Sequence, residues 1–138
     1  MTMEIKQVKS SFSVSGQVSV EDVATLAANG IRSLICNRPD GEAPDQPNVA
    51  EIEAAAARAG IELAFLPVVT SALDEQNVTD FLAALEHLPA PVHAYCRTGT
   101  RSITLWALGQ RRLGVAPAEL LALGQSLGYD LGAALQRV

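Results

Sequence analysis

Residues 92–102 read VHAYCRTGTRS and join a short apolar run, a cysteine, a glycine-containing loop and the start of a helical pattern. The composition of Val92–Tyr95 is typical of a buried strand. The helical pattern begins at Ser102 and turns Ile103 and Trp106 to one face. A strand that leads through a short loop into a helix is the unit of a parallel α/β sheet, where ligands bind at the carboxyl ends of the strands.

The rest of the chain alternates between short apolar runs and amphipathic segments, which favours the same fold class. Further extended segments are predicted at 8–14, 31–36 and 61–68. Helices are predicted after Ser19, after Asn48, around Val78–Leu85, from Ser102 to Leu113 and from Pro117, with a short helix at the end. The sequence therefore predicts a single α/β domain, residues 1–138, with a mostly parallel central sheet of four to five strands flanked by helices.

Composition excludes several classes of function. The chain has 138 residues and a formal net charge of -5, which argues against nucleic-acid binding. Neither a membrane-spanning run nor an apolar signal core is found, so we expect a cytoplasmic protein without membrane contact. Two cysteines and two histidines do not form a disulfide framework or a zinc site, and we expect no metal and no cofactor. The oligomeric state stays open.

The loop after the predicted strand has the features of a site for an anion. Backbone amides of such a loop and the N-terminus of the following helix attract negative charge. The same field and two arginines, Arg97 and Arg101, favour the thiolate form of Cys96, which is the form a nucleophile needs. Gly99 lets the backbone close around the anion, and Arg101 can hold two of its oxygens.

The predicted anion-binding residues surround Cys96 in sequence, with one addition from an earlier loop. They are Arg97, Thr98, Gly99, Thr100, Ser102 and Arg38. Ser102 is also a candidate donor to the sulfur. Each residue taken alone has an ordinary structural explanation, such as a buried thiol, a solvated charge or a helix cap. Their combination at this spacing, in the predicted strand–loop–helix context, favours a functional site.

Four motifs together resemble the bacterial phosphatase-like domain of beta-lactamase-hydrolase-like proteins. They are residues 96–102, Ser15-Gly16-Gln17, Asn37–Glu42 (NRPDGE) and Gly128–Leu131 (GYDL). The resemblance extends over nearly the whole chain. It implies a fold similar to that of dual-specificity protein phosphatases, and a small anionic substrate such as a phosphoester.

The loop itself differs from the ordinary phosphatase pattern. Those enzymes place five residues between cysteine and arginine, whereas only four separate Cys96 from Arg101. The order Cys-Arg-x-Gly-x-Arg is instead similar to the active loop of rhodaneses, which are sulfurtransferases. This similarity implies a persulfide on Cys96, a thiosulfate-like donor and a thiol acceptor.

A phosphatase also needs an acid that protonates the leaving oxygen. Asp74 follows the predicted strand 61–68, where dual-specificity phosphatases keep their acid, although its sequence context favours a helix start. Asp40 follows a neighbouring strand at the same sheet edge and is either a pocket residue, with Asn37, Arg38 and Glu42, or a turn residue. A sulfurtransferase needs neither acid.

Three hypotheses follow. The first is a rhodanese-like sulfurtransferase with Cys96 as persulfide carrier, and the second is a phosphatase with Cys96 as nucleophile, Arg101 as phosphate clamp and Asp40 or Asp74 as acid. The third is a non-catalytic anion-binding or thiol-redox module. The four-residue spacing favours the first. We interpret Cys36 as a buried structural thiol rather than a resolving thiol, and His93 as a core residue.

Overall fold

The computed structural model describes residues 3–136 and contains a five-stranded sheet with helices on both faces. The strands are β1 (Lys6–Lys9), β2 (Phe12–Ser15), β3 (Ser33–Cys36), β4 (Glu62–Phe65) and β5 (Val92–Tyr95). Their order is β1-β2-β5-β3-β4, and every neighbouring pair is parallel except β1 with β2. The predicted fold class is confirmed.

Six helices are described: α1 (Val20–Ala28), α2 (Val49–Arg58), α3 (Glu75–His87), α4 (Thr100–Arg112), α5 (Pro117–Ser126) and α6 (Gly132–Leu135). Three of these six, α1, α2 and α3, begin at side-chain caps, and α5 begins at a proline. Ser19 and Asp22 form the capping box of α1, and Asn48 caps α2 by accepting the Glu51 amide. Pro117 occupies the first turn of α5, as predicted.

Three predicted boundaries were wrong. The first extended segment is two antiparallel strands, because the chain turns at Ser10-Ser11. The strand predicted at 61–68 ends at Phe65, and a single 3-10 turn, Thr70–Ala72, follows it. The helix predicted from Ser102 begins at Thr100, directly after the loop.

The apolar core is divided by the sheet into two clusters. Side chains from α1 and α2 pack on one face, where Leu34, Cys36 and Tyr95 point. Side chains from α3 to α6 pack on the other face, where Ile35 and Ala94 point. Because β2, β5 and β3 are parallel neighbours in register, their carboxyl ends meet at one edge of the sheet. The candidate site lies at this edge.

Candidate active site

Cys96 lies between the end of β5 and the first turn of α4. Its side chain is 1% exposed, and its sulfur accepts a hydrogen bond from the Gly99 amide at 3.1 Å. Gly99 precedes the first turn of α4 and has a φ of 91°, a left-handed conformation that favours glycine. The sulfur therefore receives an amide donor at the positive end of a helix, which stabilises a thiolate.

Arg101 extends from the first turn of α4 toward the loop after β3. Its Nη1 and Nη2 atoms donate to the two carboxylate oxygens of Glu42, each at 2.8 Å, and Nη1 also donates to the Val68 carbonyl at 2.9 Å. The hydrogen bonds to Glu42 are the main cause that raises the pKa of the guanidinium, and the nearby Cys96 sulfur adds to it. The structure thus brings the predicted nucleophile and the predicted clamp together.

Glu42 also receives a second arginine. Arg38 is 4% exposed; its Nε donates to Glu42 at 3.0 Å and its Nη1 donates to the Gln17 side chain at 3.0 Å. The hydrogen bonds from Arg101, followed by those from Arg38, lower the pKa of Glu42 to about 2. The structure places Arg38 behind Glu42, where its charge supports that carboxylate, and its predicted role in binding substrate stays a prediction.

Ser102 is fully buried and ties α4 to the end of β3. Its hydroxyl donates to the Asn37 side-chain oxygen at 2.8 Å, and the Asn37 amide nitrogen donates to the Leu66 carbonyl at 2.9 Å. A hydroxyl has one proton, so Ser102 does not donate to the Cys96 sulfur in this arrangement. Ser102 is as buried as Cys96, and its role in binding substrate stays a prediction.

Three predicted loop residues lie at the surface. Arg97, Thr98 and Thr100 are exposed, and the hydroxyls of Thr98 and Thr100 lie 2.9 Å apart. Their roles in binding an anion stay predictions.

Both candidate acids are exposed and already engaged at the start of a helix. Asp40 accepts the Val49 amide at 2.8 Å, at the first residue of α2. Asp74 and Asn77 form the capping box of α3, with the Asn77 amide 3.0 Å from the Asp74 carboxylate. The helix-start interpretation of Asp74 is confirmed, whereas an acid role for either aspartate stays a prediction.

His93 is fully buried and lies between two serines of β2. Ser15 donates its hydroxyl proton to the Gly16 carbonyl at 2.8 Å, so it accepts from the His93 Nε2 atom at 2.7 Å. Nδ1 then accepts from Ser13, also at 2.7 Å. Burial lowers the pKa of His93 to about 4, so the ring is neutral at physiological pH. The core interpretation is confirmed, and this chain of hydrogen bonds ends at the backbone beside the active loop.

Cys36 is a buried free thiol at the end of β3, as the apolar strand indicates. It is 3% exposed, and its Sγ donates to the Arg38 carbonyl at 3.3 Å. Burial raises the pKa of this thiol, which favours its inert, protonated form.

Two features of the site were missed. The sequence analysis named Glu42 as a possible pocket residue but did not predict its ion pair with Arg101, which is 59 positions away. Tyr129 was noted as part of a motif, yet it contacts the active loop: its hydroxyl donates to the Thr98 carbonyl at 3.0 Å. The available signal for the pair between Glu42 and Arg101 was an acidic residue in a loop that contains Pro and Gly. No local pattern in the sequence indicates the contact between Tyr129 and Thr98.

A cysteine that follows a parallel strand and receives the Gly99 amide at a helix N-terminus fits both the phosphatase and the sulfurtransferase hypotheses, and similarity to known proteins assigns the class. The family model for the phosphatase-like domain of beta-lactamase hydrolase-like proteins matches residues 4–113, and the chain belongs to this family. A curated beta-lactamase hydrolase-like protein from Xylella fastidiosa is 36% identical over 134 residues, covering 96% of this chain and 31% of that protein. The chain thus spans about a third of the length of the curated relatives it matches.

Solved structures agree with the assignment. A candidate phosphatase from Neisseria meningitidis is 31% identical, with a TM-score of 0.87 and coverage of 96% of this chain and 94% of that one. Kinase associated phosphatase shares the fold, with a TM-score of 0.77 at 14% identity and coverage of 99% and 92%. The family model and the Neisseria structure support the phosphatase-like assignment, and the sulfurtransferase prediction, which rested on loop spacing, finds no support among these relatives.

Proposed function

We propose that this domain hydrolyses phosphomonoesters through a phosphocysteine formed on Cys96. The observation that carries the proposal is the hydrogen bond from the Gly99 amide to the Cys96 sulfur, at the N-terminus of α4 and beside Arg101. A buried sulfur that faces an amide donor and a guanidinium is arranged to be a thiolate next to a bound anion.

The first chemical step transfers the phosphoryl group to sulfur. The Cys96 thiolate attacks phosphorus, the bond between phosphorus and the leaving oxygen breaks, and a carboxylic acid gives that oxygen a proton. The loop amides and Arg101 hold the three remaining oxygens, on which charge is spread in the transition state. Since Glu42 already occupies both Nη atoms of Arg101, the phosphoryl group shares this guanidinium with it.

The second step returns the enzyme to its starting state. Water attacks phosphorus, the bond between phosphorus and sulfur breaks, and the carboxylate formed in the first step takes the proton of the water. The products are inorganic phosphate and the free thiolate. The acid is assigned to Asp40 or Asp74, and Asp40 is favoured because it shares the loop after β3 with Glu42, which contacts Arg101.

Hydrolysis of an aryl phosphate by the purified protein tests the proposal. We expect Cys96→Ser to abolish phosphate release and to prevent trapping of a phosphorylated protein. The acid is identified by replacing Asp40 and Asp74 separately with Asn: loss of the correct one lowers the rate about 10²- to 10⁴-fold. That loss is smaller for a nitrophenyl ester, whose leaving group needs little protonation, than for an alkyl ester.

Cys36→Ser is the matched control, since this buried thiol donates only to a backbone carbonyl, which a serine hydroxyl can also reach. We expect it to keep activity. A persulfide on Cys96 after incubation with thiosulfate, with transfer to cyanide and no phosphate release, would show a sulfurtransferase instead. If the protein neither releases phosphate nor transfers sulfur, the hypothesis of a non-catalytic anion-binding or thiol-redox module is favoured.

A further inference from the structure

Tyr129 reaches the active loop from the segment between α5 and α6, beyond the residues matched by the family model. Its hydroxyl donates to the Thr98 carbonyl at 3.0 Å. The same hydroxyl closes one side of Gly99, because a Cβ added at Gly99 would collide with the Tyr129 hydroxyl and would lie 3.3 Å from the Ser15 carbonyl oxygen. The loop is therefore in contact with Tyr129 on the side away from the sulfur.

One peptide group connects Tyr129 with Cys96. The Thr98 carbonyl and the Gly99 amide belong to the same planar unit, in which C=O and N–H point in opposite directions. Tyr129 holds the carbonyl end of this unit, and the amide end donates to the Cys96 sulfur at 3.1 Å. A hydrogen bond that fixes one end of a rigid plane also fixes the direction of the other end.

We propose that Tyr129 is a positioning residue that aims the Gly99 amide at the Cys96 sulfur and thereby stabilises the thiolate. Its hydroxyl donates to the Thr98 carbonyl and acts on the sulfur through the Thr98–Gly99 peptide. The segment from Pro117 onward thus contributes to the reactivity of the cysteine. The inference deepens the proposed phosphatase function, yet it concerns the thiol itself and holds for any chemistry of Cys96.

The protonation state of Tyr129 is consistent with this role. Burial is the main cause that raises the pKa of its hydroxyl, and the nearby Cys96 sulfur adds to it. The hydroxyl is therefore a proton donor throughout the neutral pH range, as the hydrogen bond to Thr98 requires.

Alkylation of Cys96 by iodoacetamide, followed by peptide mass mapping over pH 5 to 10, tests the inference without any substrate. Tyr129→Phe keeps the ring and removes the hydroxyl. We expect alkylation of Cys96 at pH 7 to slow about three- to tenfold and its pH midpoint to move upward, because the thiolate loses a well-aimed donor. The Gly99 amide proton resonance is a second readout and moves upfield in this variant.

Tyr95→Phe is the matched control. The Tyr95 hydroxyl is buried beside the Cys36 thiol and makes no hydrogen bond to the active loop among residues 3–136, so we expect Tyr95→Phe to match wild type. Equal alkylation profiles and equal Gly99 resonances for wild type and Tyr129→Phe would overturn the inference. If the wild-type protein hydrolyses no phosphoester but Tyr129→Phe still shifts the alkylation profile, the proposed function fails and the positioning role stands.

Discussion

Glu42 and Arg101 form a two-pronged ion pair, with each carboxylate oxygen 2.8 Å from a different terminal nitrogen of the guanidinium. Bidentate pairs fix the plane of the arginine as well as its distance. Arg38 holds the same carboxylate from the buried side. Arg101, the clamp residue of the active loop, is therefore oriented by Glu42, which lies in the loop after β3.

Replacement of Glu42 by Gln should leave Arg101 poorly oriented. We expect kcat/KM for an aryl phosphate to fall about 10- to 100-fold, because the glutamine loses the charge and one acceptor oxygen. Steady-state kinetics measure the change. Glu53→Gln, an exposed position on α2, is the control and should match wild type.

An increase in the activity of Glu42→Gln would contradict this expectation. A Glu42→Gln variant that turns over faster than wild type would show that Glu42 competes with the substrate for Arg101. Since Glu42 has a pKa of about 2, its ionisation contributes no inflection to a pH profile recorded above pH 4.

His93 should make the stability of the domain depend on pH. Its pKa is about 4 in the folded state and about 6.5 when unfolded, so below pH 6.5 the unfolded chain binds a proton that the folded chain does not. The free energy of unfolding is therefore highest above pH 6.5 and falls as the pH drops from 6.5 toward 4. The slope approaches about 1.4 kcal/mol per pH unit.

Urea unfolding at pH 7.0, 6.0 and 5.0 measures this slope, since these values lie above 4.5, the ordinary pKa at which the Glu42 carboxyl of the unfolded chain takes up a proton. His93→Gln should flatten it, and His87→Gln, at an exposed position, should not. An unchanged slope in His93→Gln would assign the pH dependence to other groups.

Gly16 should tolerate no side chain. A Cβ at this position would lie 2.8 Å from the Arg97 carbonyl oxygen, and because the atoms it meets are backbone atoms of Arg97 and Thr98, no side chain can move to make room. We expect Gly16→Ala to lower kcat/KM at least about tenfold and the free energy of unfolding by about 1–3 kcal/mol, because the active loop has to shift.

Gly109→Ala provides the comparison for Gly16→Ala. There the added Cβ meets the end of the Leu82 side chain at 2.7 Å, and a leucine can change rotamer. We expect near wild-type activity for this variant, measured at equal folded fraction. Equal loss of activity in both variants would mean that the effect comes from general destabilisation and not from the loop.

Local signals in the sequence were enough to predict much of the fold. The caps at Ser19, Asn48 and Asp74 depend on residues within three positions, and the structure contains all three. The turn at Ser10-Ser11 was missed because serine is a weaker turn signal than Gly, Pro, Asn or Asp, so two strands appeared as one.

The position of the active cysteine could be predicted because strand, loop and helix are contiguous. The contacts that orient the loop could not, since they join residues far apart in the chain. Glu42 is 59 positions from Arg101, and Tyr129 is 31 positions from Thr98. Sequence periodicity reports which face a residue occupies and contains no information on which distant partner it meets there.

Within the described part of the chain, five distant residues hold the loop at 96–102 by hydrogen bonds: Ser15 at Cys96, Asn37 at Ser102, Glu42 and Val68 at Arg101, and Tyr129 at Thr98. None of these partners is within 25 residues of the group it contacts. The conformation of residues 96–102 therefore depends on the rest of the fold and not on the seven-residue motif alone. Transplanted onto another strand–helix junction, it would supply a cysteine and two arginines without the supports that direct them, and we expect its thiol to react like an ordinary one.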